Sequence, residues 1–202
     1  FSDINILIIL ERNDTRKIFE AGKRTAALGR KHGITPLIMT REEFLSASDV
    51  FPLEYQDILE AHRVLFGNSG LEGLSLDSSH LRLQMEEKLR GALGDIRRML
   101  IAAGGNEKTL GRLLSAWSGV GNTLFRGLLR LRGIEAPRQT GELLDRVERE
   151  YGVGAGDFSR LNDFRNLSPA GSGEKPLELA ASLLDSLSRL ADAVNSMPAE
   201  GV

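Results

Sequence analysis

Apolar residues along this chain follow two different periods, and the change between them divides the sequence into two parts. Up to about residue 76, short aliphatic runs alternate with amphipathic stretches, an order typical of α/β domains. Beyond residue 77, apolar residues recur every three or four positions, which is the period of helices. The stretch 68–77 between them is rich in Gly, Ser and Asp. We therefore predict an α/β domain over 1–76 and an all-α antiparallel helical bundle over 77–202.

The first part predicts the element order β-α-β-α-α-β. The aliphatic, mostly β-branched run Ile4–Leu10 predicts a strand buried on both faces. Ile34–Met39 and Arg63–Gly67 predict two more strands. The predicted helices lie between the strands: from Asn13 or Asp14 to Gly33, from the capping box at 40–43, and over 53–61. Such a sheet needs at least one more strand at its edge. We expect that strand upstream of Phe1, in a natural chain that begins earlier.

The second part predicts five amphipathic helices. The first is capped by Ser78 or Ser79, and the second has one unbroken apolar stripe from Leu110 to Leu131. The third runs from Thr140 to Gly152, the fourth is short and contains Phe158 and Leu161, and the fifth covers 177–194. The second of these helices contains Gly119 and Gly121, which would allow close helix approach.

That second helix is also apolar beyond a single stripe. The additional residues are Leu114, Phe125 and Leu129. Either the helix is central and surrounded by the others, or these residues form a second contact surface. Such a surface would face the α/β domain or a second copy of the chain, and the second copy would make a homodimer.

Composition limits the classes of function. The 202 residues are 41% hydrophobic and 27% charged, with a net charge of −2 and no cysteine. No overall basic field attracts nucleic acid, and disulfides and thiolate metal sites are excluded. No apolar run has the ~20 residues of a membrane helix. We expect a cytoplasmic protein with no membrane partner.

Polar residues at the entrance of the first predicted strand are the candidate site. Asp3 and Asn5 are two positions apart, so their side chains leave the same face of the strand. They either cap the strand and bond to a neighbouring loop or form the remnant of a metal site.

The stretch from Ser2 to Leu10, S-D-I-N-I-L-I-I-L, resembles a strand of the DNA polymerase β-like nucleotidyltransferase superfamily. The resemblance implies Asp3 as the catalytic residue and metal ligand, Asn5 in place of a second metal-binding aspartate, and Ser2 beside the nucleotide. It also implies Mg²⁺, a nucleoside triphosphate, and a Gly-Ser turn just upstream of Phe1. Segments 50–54 and 62–67 are similar to those of predicted bacterial nucleotidyltransferases. A third carboxylate is expected from a later strand, but Ile34–Met39 contains no acid.

The helical part resembles the HEPN-type domains that accompany minimal nucleotidyltransferases. Some HEPN domains are RNases with an R-x₄₋₆-H motif. The histidines here are His32, His62 and His80, none of them in the last two helices, so that activity is not implied. Arginines crowd the ends of the first two helices of the bundle, as Arg97, Arg98, Arg126, Arg130 and Arg132. They form either a solvated face that complements the helix dipoles or a patch that contacts phosphate.

These residues predict nucleotidyl transfer from a nucleoside triphosphate, with Mg²⁺, to an acceptor that is a protein, an RNA or a small molecule. The loss of two of the expected carboxylates predicts a degenerate site. The alternative is a non-enzymatic nucleotide-binding protein, or an antitoxin-like or regulatory interaction protein.

Overall fold

The computed structural model describes residues 4–117, 119–153, 156–166 and 175–198. The chain forms two compact units, Phe1–Leu76 and Asp77–Val202. The division falls at the glycine-rich stretch that separates the two hydrophobic patterns of the sequence. The described residues are mostly helical, with one small parallel sheet in the first unit.

The first unit is built on a β-α-β arrangement. Its elements are β1 (Ile4–Leu10), α1 (Thr15–His32), β2 (Ile34–Thr40), α2 (Arg41–Ser46) and α3 (Pro52–Glu60). The two strands are parallel and in register from Ile4 opposite Ile34 to Leu10 opposite Thr40. A parallel pair needs a crossover connection, and α1 supplies it.

Local signals in the sequence fix the ends of the helices in this unit. Asp14 caps α1 by accepting a hydrogen bond from the Lys17 N–H at 3.1 Å. Gly33 ends α1 in the left-handed region, with φ 62°, where a residue without Cβ is favoured. A capping box starts α2, since Thr40 and Glu43 each accept from the other's backbone N–H. The predicted starts of α1 and α2 are therefore confirmed.

The core of the first unit lies between α2 and α3. The rings of Phe44 and Tyr55 stack with their centroids 4.7 Å apart. The Tyr55 hydroxyl donates to the Phe44 carbonyl at 2.5 Å, so its polar end is paired inside the core. Burial raises the pKa of this phenol above its ordinary value.

Two predictions for the first unit are wrong. Arg63–Gly67 is not a strand: no described residue there pairs with the sheet, and Phe66 is 97% exposed. The strand β1 is not buried on both faces either. Ile8 is 39% exposed, and Leu37, which stands opposite Leu7 on the other face of the sheet, is 48% exposed. Two strands and the helices of this unit leave part of both sheet faces open to solvent.

The second unit contains six described helices where five were predicted. They are α4 (Ser78–Ala102), α5 (Glu107–Trp117), α6 (Val120–Leu131), α7 (Thr140–Tyr151), α8 (Gly156–Asn166) and α9 (Pro176–Asn195). Asp77, rather than Ser78 or Ser79, is the N-cap of α4, because its carboxylate accepts from the Ser79 N–H at 2.7 Å. That hydrogen bond lowers the pKa of Asp77.

The predicted second helix of the bundle is two helices, α5 and α6. Gly119 is the N-cap of α6, and glycine weakens a helix by about 1 kcal/mol relative to alanine. The prediction of close approach holds at Gly121 alone. A Cβ there would lie 3.2 Å from the ring of Phe125 and 3.7 Å from that of Phe158, whereas one at Gly119 would meet nothing within 4 Å.

The core of the second unit centres on α4, α6 and α9. Apolar side chains from these helices are completely or almost completely buried: Met85, Leu89, Ile96, Leu124, Leu128, Leu179, Leu183 and Leu187. The rings of Phe125 and Phe158 meet edge to face, 4.5 Å apart. Ser186 is 5% exposed, and its hydroxyl donates to the Asp157 carboxylate at 2.6 Å.

The interpretation of Leu114, Phe125 and Leu129 as a contact surface for a second copy of the chain is wrong. Their exposed fractions are 0%, 2% and 0%, so they offer no surface to a second copy of the chain. The width of the apolar face is explained by helices on several sides, which is the central-helix alternative.

Candidate functional site

The candidate site of the sequence lies at the amino end of β1. Ser2 and Asp3 are outside the described residues. Asn5 belongs to β1 and stands opposite Thr35 of β2 in the parallel register. The side chains of this pair are also outside the described part, so the structure gives the position of Asn5 in the sheet and not its contacts.

The neighbouring strand brings no carboxylate to this end of the sheet. β2 has the sequence I-T-P-L-I-M-T, and its first two residues stand opposite Ile4 and Asn5. Two-metal phosphoryl transfer needs several carboxylates to neutralise two divalent ions. Mg²⁺ is often held by one or two carboxylates together with the phosphates of the substrate. One aspartate and one amide therefore fit a single Mg²⁺ shared with a nucleotide, and do not fit a two-metal centre.

Basic side chains lie at the same end of the sheet. Arg30, Lys31 and His32 form the last turn of α1, immediately before Gly33 and the start of β2. All three are exposed. They complement the negative end of the α1 dipole, and their turn leads directly into the start of β2, whose first residues stand opposite Ile4 and Asn5. The sequence analysis did not assign them to the site. The predicted β-α-β order already implied this position, because a helix that connects two parallel strands ends near the amino end of the second strand.

The carboxyl end of the sheet is occupied by the chain itself. The Arg41 guanidinium donates to the Gly70 carbonyl at 3.1 Å and to the Glu72 carbonyl at 2.9 Å. Gly70 has φ 67°, and a Cβ on it would lie 2.7 Å from Cδ1 of Ile9. The left-handed backbone favours glycine at this point, and any larger residue would also require the end of the Ile9 side chain to shift. Ligands of open α/β sheets bind at the carboxyl ends of the strands, and the segment around Gly70 covers part of that end.

The arginines at the end of α6 make contacts within the helical unit. Arg126 donates to the Arg138 carbonyl at 3.2 Å. The guanidinium of Arg132 lies over the ring of Tyr151, 5.1 Å from its centroid. In α4, Arg98 pairs with Asp95. These contacts favour the structural and solvated alternative over the phosphate-contacting patch.

A surface cleft lies beside α7, with a volume of about 390 Å³. Its lining residues are Ile134, Glu135, Pro137, Glu142, Arg146 and Arg149. The Arg146 Nε lies 3.2 Å from the Glu150 carboxylate, close enough for an ion pair, although the N–H is not aligned for a hydrogen bond. The Arg149 Nε donates to the Asp145 carbonyl. Two arginines and two glutamates line the cleft, so their charges balance and give no preference for an anion.

Metal-ligand chemistry is sparse in the part of the chain that the structure describes. No group of three or more His, Asp or Glu side chains there is arranged to hold a metal ion. His62 Nδ1 is 2.7 Å from the Ile58 carbonyl, within its own stretch of chain. Among the described helices, none combines the length and apolar character needed to cross a membrane.

Comparison with known proteins found no match: no family model, curated protein or solved structure is significantly similar to this chain.

Proposed function

We propose that this chain is a degenerate member of the DNA polymerase β-like nucleotidyltransferase superfamily. It binds a nucleoside triphosphate with one Mg²⁺ at the amino end of β1 and transfers a nucleotidyl group slowly to an acceptor. The observation that carries the proposal is the motif S-D-I-N-I-L-I-I-L, of which Ile4–Leu10 form the first strand of a parallel β-α-β unit.

Each residue of the proposed site has a role. The Asp3 carboxylate would hold the metal, the Asn5 carbonyl oxygen would be a neutral second ligand, and Ser2 would contact the phosphates. When bound, Mg²⁺ neutralises the charge of the phosphates. Arg30 and Lys31, in the last turn of α1, supply further positive charge at that end of the sheet. The acceptor class is a protein, an RNA or a small molecule.

Incubation with α-labelled ATP, Mg²⁺ and candidate acceptors tests this function. We expect label transfer that is lost in Asp3→Ala and after removal of Mg²⁺ with EDTA. Asp14→Ala is the matched control, because Asp14 caps α1 after the other end of β1 and contacts Lys17. Transfer that persists in Asp3→Ala would remove this aspartate from the mechanism and overturn the assignment of the site.

A second candidate function is non-enzymatic nucleotide binding, or an antitoxin-like or regulatory interaction. The absence of any acid from β2 favours it. Equilibrium binding of Mg²⁺·ATP separates the candidates. Binding that depends on Asp3 without label transfer indicates a nucleotide-binding protein, and no binding at all indicates an interaction protein.

A further inference from the structure

Positive charge in the first unit is concentrated on one helix. α1 has six lysines and arginines in its 18 residues and a single acid, Glu20. α1 therefore carries a net charge of +5, whereas the whole chain carries −2, which leaves −7 on all the other residues. The low net charge of the chain does not reveal this strongly basic helix. Clustered charge of this kind attracts a polyanion locally, even where the protein as a whole does not.

The basic residues of α1 recur in pairs along one side of the helix. Seven residues make almost two turns, so residues seven apart lie on the same side and about 10.5 Å apart along the axis. The basic pairs follow this interval: Arg16 with Lys17, Lys23 with Arg24, and Arg30 with Lys31. All six residues are exposed. They form a basic stripe that is about 22 Å long.

The opposite side of α1 faces the strand that follows it. Ile18, Gly22 and Gly29 are the described residues of α1 that are only partly exposed, and they lie about half a turn away from the basic stripe. A Cβ on Gly29 would lie 3.5 Å from the carbonyl oxygen of Ile34 in β2. Packing against the sheet therefore leaves the basic stripe on the solvent side.

Ion pairs within the helix leave most of the stripe without a counter-charge. A solvated helix face commonly has acids three or four residues from its bases, as in α4, where Glu86 pairs with both Arg82 and Arg90. Among the described residues, the stripe makes one ion pair, between Lys17 and Asp14 at 3.9 Å. Its charge is therefore open to an external anion.

An exposed aromatic ring lies at the border of the stripe. Phe19 is 69% exposed, and the Lys23 Nζ lies 5.3 Å from the centroid of its ring. Proteins bind single-stranded nucleic acid with cations that follow the backbone and with aromatic rings on which bases stack. A helix that lies on a membrane needs a broad apolar face instead. On the described part of α1, Phe19 is the one exposed large apolar side chain.

We propose that the basic stripe and Phe19 bind a single-stranded nucleic acid. The cations of the stripe contact successive phosphates of the strand, and the Phe19 ring stacks on a base. A thin, flexible strand needs only this helix, so the negative charge on the rest of the chain does not exclude it. The inference uses no residue of β1 and does not depend on nucleotidyl transfer.

Fluorescence anisotropy with labelled oligouridylate and oligothymidylate tests the proposal, in buffer without Mg²⁺ or nucleoside triphosphate. The two strands separate RNA from DNA as the ligand, and binding of either supports the proposal. No binding of either strand at low salt overturns it. Because Mg²⁺ and nucleotide are absent, this result is independent of the label-transfer assay.

The salt dependence of binding tests the basic stripe. For single strands, the logarithm of the binding constant falls with the logarithm of salt concentration with a slope of about −0.7 for each phosphate neutralised. The double variant Lys23→Gln, Arg24→Gln should reduce the magnitude of the slope by about 1.4 and raise the dissociation constant at least about tenfold at about 0.1 M salt. The matched control is Arg97→Gln, Arg98→Gln, which removes the same charge from an adjacent pair in α4. An equal loss in the two double variants overturns the assignment of the stripe.

A substitution of Phe19 tests the stacking contact. Phe19→Leu keeps an apolar residue and removes the ring, so we expect the dissociation constant to rise at least about fivefold with the salt slope unchanged. Phe66→Leu is the control, at another exposed phenylalanine of the same unit, and should have no effect. A Phe19→Leu variant that binds as tightly as the unmodified chain overturns the stacking contact. Tighter binding to phosphatidylserine vesicles, or equal displacement of the strand by polyglutamate, overturns the assignment of nucleic acid as the partner.

Discussion

Replacing Tyr151 by Phe removes one hydrogen bond that joins α7 to α6. The Tyr151 hydroxyl donates to the Leu128 carbonyl at 2.6 Å, and Arg132 lies over the ring. The variant keeps the ring and its contact with Arg132 and loses only the hydroxyl. A hydrogen bond of this kind contributes about 1 kcal/mol, and a carbonyl left without its partner can raise the cost to about 2 kcal/mol. We expect Tyr151→Phe to lower the free energy of unfolding by that amount at pH 9.

The same tyrosine makes stability depend on pH in a way that the variant lacks. Burial raises the pKa of Tyr151 to about 12, from an ordinary value near 10. Between these values the unfolded chain has lost the phenolic proton while the folded chain keeps it, so stability falls as pH rises. The stability that the protonated Tyr151 contributes is fully present below pH 10. After allowance for solvent screening, about 1 kcal/mol of it is lost at pH 11.

Urea unfolding followed by Trp117 fluorescence measures both effects. Trp117 is the single tryptophan and is 6% exposed in the helical unit, so its emission reports on the unfolding of that unit. We expect the difference in free energy of unfolding between the unmodified chain and Tyr151→Phe to shrink by about 1 kcal/mol from pH 9 to pH 11. All other titrating groups are common to both proteins and cancel. An equal difference at the two pH values would refute the reasoning about burial, and no difference at pH 9 would refute the hydrogen bond.

Three further substitutions test the packing. Thr40→Ala removes half of the reciprocal capping box with Glu43, so we expect a loss of about 1 kcal/mol in urea unfolding; unchanged stability would mean that the box does not form. Ser186→Ala removes one hydrogen bond of the Asp157 carboxylate, which keeps its ion pair with Arg160, and we expect a loss of about 1 kcal/mol, checked by thermal unfolding against Ser196→Ala, where the hydroxyl is exposed. Phe125→Glu places a charge at a position that is 2% exposed, so we expect circular dichroism to show loss of the helical fold; a folded variant with altered assembly would restore the contact-surface interpretation.

Much of the helical structure could be predicted because local signals and periodicity agreed. The stripe of α4, the glycine that ends α7 and the capping box of α2 each have a local physical cause. The run Arg63–Gly67 misled because its residues favour strands, yet the pairing of a strand depends on partners elsewhere in the fold. The helix predicted from Leu110 to Leu131 contained an unbroken apolar stripe, and periodicity alone could not show that the helix stops near Gly119.

The candidate site could be predicted only in part. The sequence placed Asn5 in the first strand, and the parallel register sets it opposite Thr35. The basic turn Arg30–His32 is near that end of the sheet because α1 returns the chain to the start of β2, a consequence of topology rather than of any motif. Whether Asp3 holds a metal is a chemical question that neither periodicity nor register decides, and it stays a prediction.

Restoration of the second aspartate is the most direct test of the proposed nucleotidyltransferase site. Label transfer from α-labelled ATP with Mg²⁺ is compared in the unmodified chain, in Asn5→Asp, and in Asn13→Asp, which adds the same carboxylate in the turn after the other end of β1. The account predicts that Asn5→Asp raises the transfer rate at least about tenfold, because a second carboxylate would hold Mg²⁺ more firmly, and the metal would stabilise the charge on the transferring phosphoryl group. It predicts no change in Asn13→Asp and no transfer once Asp3 is also replaced by Ala. An Asn5→Asp variant that transfers no faster than Asn13→Asp would contradict the assignment of this strand as a nucleotidyltransferase site.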